Sequence, residues 1–144
     1  MLWTLIAATT PGYTDRMRHT EMPIFTRTFD LLAWLLPLTN HFPRAHRHTV
    51  TRRLTDAALD LRERLEEANV QPAGRLKLLI QADAALSKLR LYLRLAARFG
   101  WLNDGQYEHV SLIVNEIGRL FRVFVFSWLH LFSVGRYLIQ WPGR

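Results

Sequence analysis

From Ile24 to Phe124 the apolar residues recur at steps of three and four, and proline- or glycine-containing stretches interrupt the pattern at three places. That period belongs to α-helices, each burying one stripe, and it excludes a strand-based fold for this stretch. Phe25, Phe29, Leu32 and Leu36 predict the buried seam of a first helix, which kinks or ends at Pro37 because proline lacks a backbone donor. A second helix is expected from about Arg44 to Asn69, with Val50, Leu54, Ala57, Leu61, Leu65 and Ala68 as its seam. On its wet side, Asp60 with Arg64 and Arg62 with Glu66 are spaced to form i,i+4 ion pairs. Gln71-Pro72-Ala73-Gly74 reads as a turn into a third helix, whose seam is Leu79, Ala82, Leu86, Leu89, Leu93 and Ala96 and whose C-terminal cap is Gly100. Asn103 and Gln106 have the spacing of a reciprocal cap for a fourth helix, with Tyr107, Val110, Val114, Ile117, Phe121 and Phe124 facing inward. Four amphipathic helices on short connections predict an all-α fold, an antiparallel up-and-down four-helix bundle.

The bundle accounts for residues 22–125 and leaves two flanks. Residues 1–21 show no sustained period and are expected to form a loose extension, with Met22 offering an alternative start. The first eight residues are apolar but lack a basic leader and a small-residue cleavage site, so a secretory signal is not expected. Residues 126–144 form an aromatic, apolar tail, in which the run without formal charge, Val123–Gly135, is too short to span a bilayer as a helix. An extension of helix four against a partner, a sticky tail and a membrane contact are the three readings of that segment.

Charge narrows the choice of partners. The 144 residues carry 19 Lys+Arg against 12 Asp+Glu, a formal charge of +7 and a pI near 10.8, which favours polyanions. Only Lys77 and Lys88 are lysines. The rest are arginines, whose planar forks grip phosphate and stack on bases. Helix three concentrates them: Arg90, Arg94 and Arg98 are spaced four apart and form a ridge on one flank, with Lys88 on the same helix. Like charges at that spacing repel, so an anionic partner would relieve the ridge. Nearly opposite the seam, Leu91, Leu95 and Phe99 form a second apolar strip that a monomeric bundle does not need, which predicts self-association. A second basic cluster, Arg44, His46, Arg47, His48, Arg52 and Arg53, opens helix two, where cations oppose the helix dipole. Arg44, Arg47, Arg52 and Arg53 are read there as phosphate contacts, and a solvated face is the alternative.

Catalytic patterns are missing from the sequence. With 0 cysteines there is no disulfide, thiolate zinc site or cysteine nucleophile, which fits a cytoplasmic protein. His46 and His48 point to different helix faces, and no histidine carries the glutamate spacing of a di-iron bundle, so no metal or cofactor is expected. There is no nucleophile elbow and no glycine-rich phosphate loop, and Glu63, Glu66 and Glu67 read as a solvated face. The chain is expected not to be an enzyme.

The stretch Met22-Pro-Ile-Phe-Thr-Arg-Thr-Phe-Asp-Leu-Leu-Ala-Trp-Leu-Leu-Pro, then His41-Phe-Pro-Arg, resembles the accessory variability determinant (Avd) proteins of diversity-generating retroelements. Leu89-Arg-Leu-Tyr-Leu-Arg-Leu-Ala, Gln106-Tyr-Glu-His and Glu116-Ile-Gly-Arg-Leu add to the likeness, which covers about Met22 to Phe124. The wider family of four-helix bundles includes proteins encoded in ribosomal RNA intervening sequences. The resemblance implies a homopentameric, barrel-like ring with a basic surface. It implies binding of RNA or DNA with little sequence preference, and partnership with the retroelement's reverse transcriptase in mutagenic retrohoming. The intervening-sequence relatives supply the alternative: a bundle scaffold that binds only protein.

Overall fold

The computed structural model describes residues 22–139, with side chains through residue 130; the expected N-terminal extension, residues 1–21, lies outside the described residues. Four α-helices follow one another: α1 (Pro23–Thr39), α2 (Arg52–Val70), α3 (Arg75–Arg98) and α4 (Asp104–Ile139), and there is no strand among the described residues. Between α1 and α2 lie a 3-10 turn (Arg44–His46) and a π turn (Arg47–Thr51). The segment expected as one helix from Arg44 is therefore helical throughout but becomes α-helical only at Arg52. The β-branched run Thr49-Val50-Thr51 disfavours a regular α-turn, and the wider π turn accommodates it.

Each helix packs on its sequence neighbours, and α4 closes the square on α1. Side-chain pairs give the directions. Phe25 at the start of α1 meets Phe124 late in α4 edge-to-face at 5.9 Å, whereas Trp34 meets His109, early in α4, at 5.1 Å. These two helices therefore run antiparallel, and Arg27 bridges them with a 2.9 Å ion pair to Glu116. That hydrogen bond, and then the charge of the carboxylate, hold the Arg27 guanidinium above its ordinary pKa.

The core is made of the seams of α2, α3 and α4. Leu54, Leu61, Leu65, Leu89, Val110 and Ile117 are fully buried, and alanines at 57, 58, 68, 82, 85 and 96 let the backbones approach. The inward face of α1 departs from expectation. Ile24, Phe25, Thr28, Leu31, Leu35 and Thr39 are buried, while Phe29 is 64% exposed and Leu32 and Leu36 sit half-buried. Helix one is apolar on more than one side, so its spacing admits two seams, and packing selects the one that places Phe25 against Phe124. The buried hydroxyl of Thr28 is satisfied within that seam, donating to the Ile24 carbonyl at 2.8 Å.

Boundaries follow local chemistry. Pro37 sits inside α1, and beyond it the chain tightens into i→i−3 bonds from Asn40, His41 and Phe42. Gly100 adopts φ 72° after α3, so that its N–H donates to Ala97 and that of Trp101 to Ala96, a full Schellman closure. Asn103 and Gln106 cap α4 reciprocally, at 2.8 and 3.0 Å. Arg62 pairs with Glu66 at 3.2 Å, but Arg64 turns away from Asp60 to Glu67 at 2.6 Å, one residue closer along the chain. Helix α4 continues without a break to Ile139 and so passes the described start of α1. No helix among the described residues is long and apolar enough to cross a membrane.

The two faces of α1 can be told apart by denaturant unfolding. Leu35→Ala, which empties a fully buried site, is expected to cost about 2–5 kcal/mol, whereas Phe29→Ala should change stability by roughly 0.5 kcal/mol or less. Equal losses would place Phe29 in the core.

Candidate nucleic-acid interface

The up-and-down path puts the α1–α2 and α3–α4 connections at one end of the bundle, here called the loop end. That end collects the cluster at the entry to α2 and the C-terminal end of the α3 ridge. Arg44, Arg47, Arg52 and Arg53 stand at the entry to α2, all exposed, and Arg98 stands in the last turn of α3. Phe42, His46 and Phe99 surround Trp101, with ring centroids 5.5, 5.1 and 5.2 Å away. This ring cluster ties the two connections together, and Gly100 makes it possible by turning the chain back between Phe99 and Trp101.

Two shallow clefts lead into this end. One, of ≈ 390 Å³, lies between the end of α1 and the π turn and is lined by Thr39, Asn40, Arg47, His48, Thr51, Arg52 and Thr55. Thr51 Oγ1 is buried there without a hydrogen-bond partner, while Thr55 donates to the Arg52 carbonyl at 2.9 Å. The other, of ≈ 290 Å³, lies between α3 and α4 and is lined by Arg90, Leu93, Arg94, Tyr107, Ser111, Val114 and Asn115. Arg90 reaches across to α4, where its guanidinium fills the space that a Cβ on Gly118 would need. Sequence reasoning missed Gly118; its one signal is a glycine in the middle of an otherwise regular helical seam.

The arginines divide by location. Away from the loop end several are engaged inside the molecule, Arg27 with Glu116, Arg62 over the Phe25 ring at 4.7 Å and Arg64 with Glu67, while Arg119 stays exposed. Arg75 lies over the Trp128 ring at 3.6 Å and donates to the Ala68 carbonyl at 2.6 Å. Toward the loop end only Arg52 has a carboxylate partner among the described residues, Asp56 at 3.6 Å, with both side chains largely in water. Arg44, Arg47, Arg53, Arg94 and Arg98 form no ion pair there. The acidic residues of α2 beyond Asp56, namely Asp60, Glu63, Glu66 and Glu67, follow toward its opposite end, and at the loops the arginines outnumber Asp56, Asp104 and Glu108, so positive potential collects there.

Not every expected site residue joins this arrangement. Lys88 is two residues from Arg90, hence about 160° around the helix, and is exposed on the other flank. Leu91 is 49% exposed and Leu95 half-buried, so the outward strip on α3 exists, and Ile80 at 62% exposure prolongs it. Phe99 lies just past the helix and turns to Trp101, which places it in the ring cluster. Among the described residues no group of three or more His, Asp or Glu is placed to hold a metal ion.

A model of the bAvd-like family matches residues 22–127. The chain belongs to the bAvd-like family. The match spans the whole bundle and stops within α4, so the bAvd-like portion includes both connections of the loop end, the ring cluster and both clefts. A comparison with curated proteins gave no match.

Gly118→Ala tests how Arg90 is held in this bAvd-like bundle. A mid-helix glycine costs about 0.5–1 kcal/mol against alanine, and the obstructing group is the mobile end of a side chain. The substitution is expected to raise stability by about that amount and to release Arg90 from the cleft. Thermal unfolding checks the sign, and a loss of stability would show that the guanidinium is locked over Gly118.

Proposed function

We propose that this chain is a non-enzymatic, nucleic-acid-binding accessory protein of a diversity-generating retroelement. In this reading it partners the reverse transcriptase in mutagenic retrohoming and works in the cytoplasm as a homo-oligomer, pentameric as the Avd resemblance implies. Membership of the bAvd-like family supports the assignment to the accessory proteins. The observation that carries the nucleic-acid part is the division of the arginines. Several of those far from the loops hold the bundle, whereas Arg44, Arg47, Arg53, Arg94 and Arg98 make no ion pair among the described residues, and Arg47 and Arg94 line clefts open to a polyanion.

The physical logic is electrostatic. A polynucleotide docked on Arg44, Arg47, Arg53, Arg90, Arg94 and Arg98 releases condensed counterions, which favours association at low salt and carries no base preference. Repeating the loop end around a ring would add the fields of several copies. The outward α3 strip of Ile80, Leu91 and Leu95 supplies apolar surface for such an assembly. The scaffold alternative draws on that same strip, and on the Arg52–Asp56 pair, which leaves part of the basic cluster neutralised.

Fluorescence anisotropy with labelled RNA across a salt series separates the readings. Affinity should fall steeply with salt. Replacing Arg90, Arg94 and Arg98 by alanine should weaken binding alike for unrelated sequences and reduce the magnitude of the single-strand salt slope by about 2, at roughly 0.7 per lost contact. Binding that ignores salt, or no binding, would overturn the nucleic-acid reading. If reverse transcriptase is retained while neither form holds RNA, the protein-only scaffold stands instead.

Assembly is tested separately by sedimentation of Leu91→Glu. A charge placed in the strip is expected to shift the oligomer to smaller species with helicity unchanged. An unaltered sedimentation coefficient would place the interface elsewhere.

A further inference from the structure

The ring cluster at the loop end gives the site a chemistry that arginine alone lacks. Trp101 is half-buried at its centre, and Phe42, only 6% exposed, closes it from below. The other two rings face outward: Phe99 is 54% exposed and His46 is exposed, tilted 43° and 34° to the indole. A phenylalanine exposed beside a half-buried tryptophan leaves apolar surface in water beside the arginines. The backbone next to these rings is basic. Arg98 directly precedes Phe99, Arg44 opens the turn that carries His46, and neither makes an ion pair among the described residues.

We infer that Phe99, Trp101 and His46 form a stacking platform for unpaired bases, so that the loop end prefers single-stranded polynucleotide to duplex. This rests on the nucleic-acid reading above and names the form of ligand within it. Charge complementarity selects the occupant: the flanking guanidiniums take the phosphates of a strand, and its bases lie on the neighbouring rings. Every base has a π face, so the platform adds affinity without adding sequence preference. A duplex keeps its bases stacked on each other and presents only phosphates, so it engages the arginines and not the rings.

The test compares a single-stranded oligoribonucleotide, its blunt duplex, and an abasic strand of the same length, each titrated against the full-length protein. Phe99→Ala is the informative variant, because Phe99 lies outside the buried core and its loss should lower the unfolding midpoint only slightly. Trp101→Ala also removes support from Phe42 and is reserved for comparison. The wild type is expected to bind the strand more tightly than the duplex or the abasic strand. Phe99→Ala should lose about fivefold or more for the strand with duplex affinity, salt slope and oligomeric state unchanged, and Phe99→Tyr should restore it. Equal affinity of the wild type for strand and abasic strand overturns the platform. So does an equal loss for strand and duplex, or a change of oligomeric state in Phe99→Ala. A wild type that binds none of the three probes overturns the nucleic-acid reading itself.

Discussion

The close pairing of α2 with α3 is the constraint on which the rest of this protein depends. Between them run leucines at 54, 61, 65, 79, 86, 89 and 93, with alanines at 57, 58, 68, 82, 85 and 96 setting how near the backbones come. Each fully buried leucine contributes about 1.5–3 kcal/mol relative to exposure, so this seam outweighs any single surface interaction. With the short turn through Gly74 it forms a hairpin, and α1 and α4 have only its two open sides on which to lie. The loop end is where it is because that hairpin points the start of α2 and the end of α3 the same way.

Once that geometry is set, the arginines acquire different work by position. Far from the loops, the bundle end is closed by aromatic rings, and the guanidiniums of Arg62 and Arg75 cover the faces of Phe25 and Trp128. A guanidinium stacked on a ring and hydrogen-bonded to a carbonyl serves as packing as much as charge. At the loop end no arginine lies over a ring among the described residues, and Phe42, His46, Phe99 and Trp101 pack on one another. The charges left over face water there. A residue type that composition counts as uniform is thus split into structural and available members by which rings lie beside it.

Much of this was legible in the residues. The seams of α2, α3 and α4 stand almost as the spacing predicts, because charged residues fill the opposite faces and leave one stripe to bury. The Asn103–Gln106 cap and the closure at Gly100 follow from chemistry contained within a few residues. Helix one is misread for the converse reason: Leu31-Leu32-Ala33-Trp34-Leu35-Leu36 is apolar on nearly every side, so the spacing that puts Phe25, Phe29, Leu32 and Leu36 inward fits as well a seam that leaves Phe29 outside. The choice of Glu67 over Asp60 by Arg64 depends on rotamers, to which sequence spacing is blind. Both basic clusters were visible, but only as two separate patches.

The sequence by itself determines the number and type of helices, three of their four buried faces, the excess of arginine and the turns that reverse the chain, because each of these depends on residues within a few positions of one another. Tertiary structure alone decides which face of α1 is buried, that Arg90 crosses to Gly118, that Phe99 leaves its helical strip for Trp101, and that the end of the α3 ridge comes to the same end as the α2 cluster. Apart from Phe99 with Trp101, which the turn at Gly100 brings together, these are relations between residues far apart in the chain, and they exist only after the α2–α3 seam has brought the connections together.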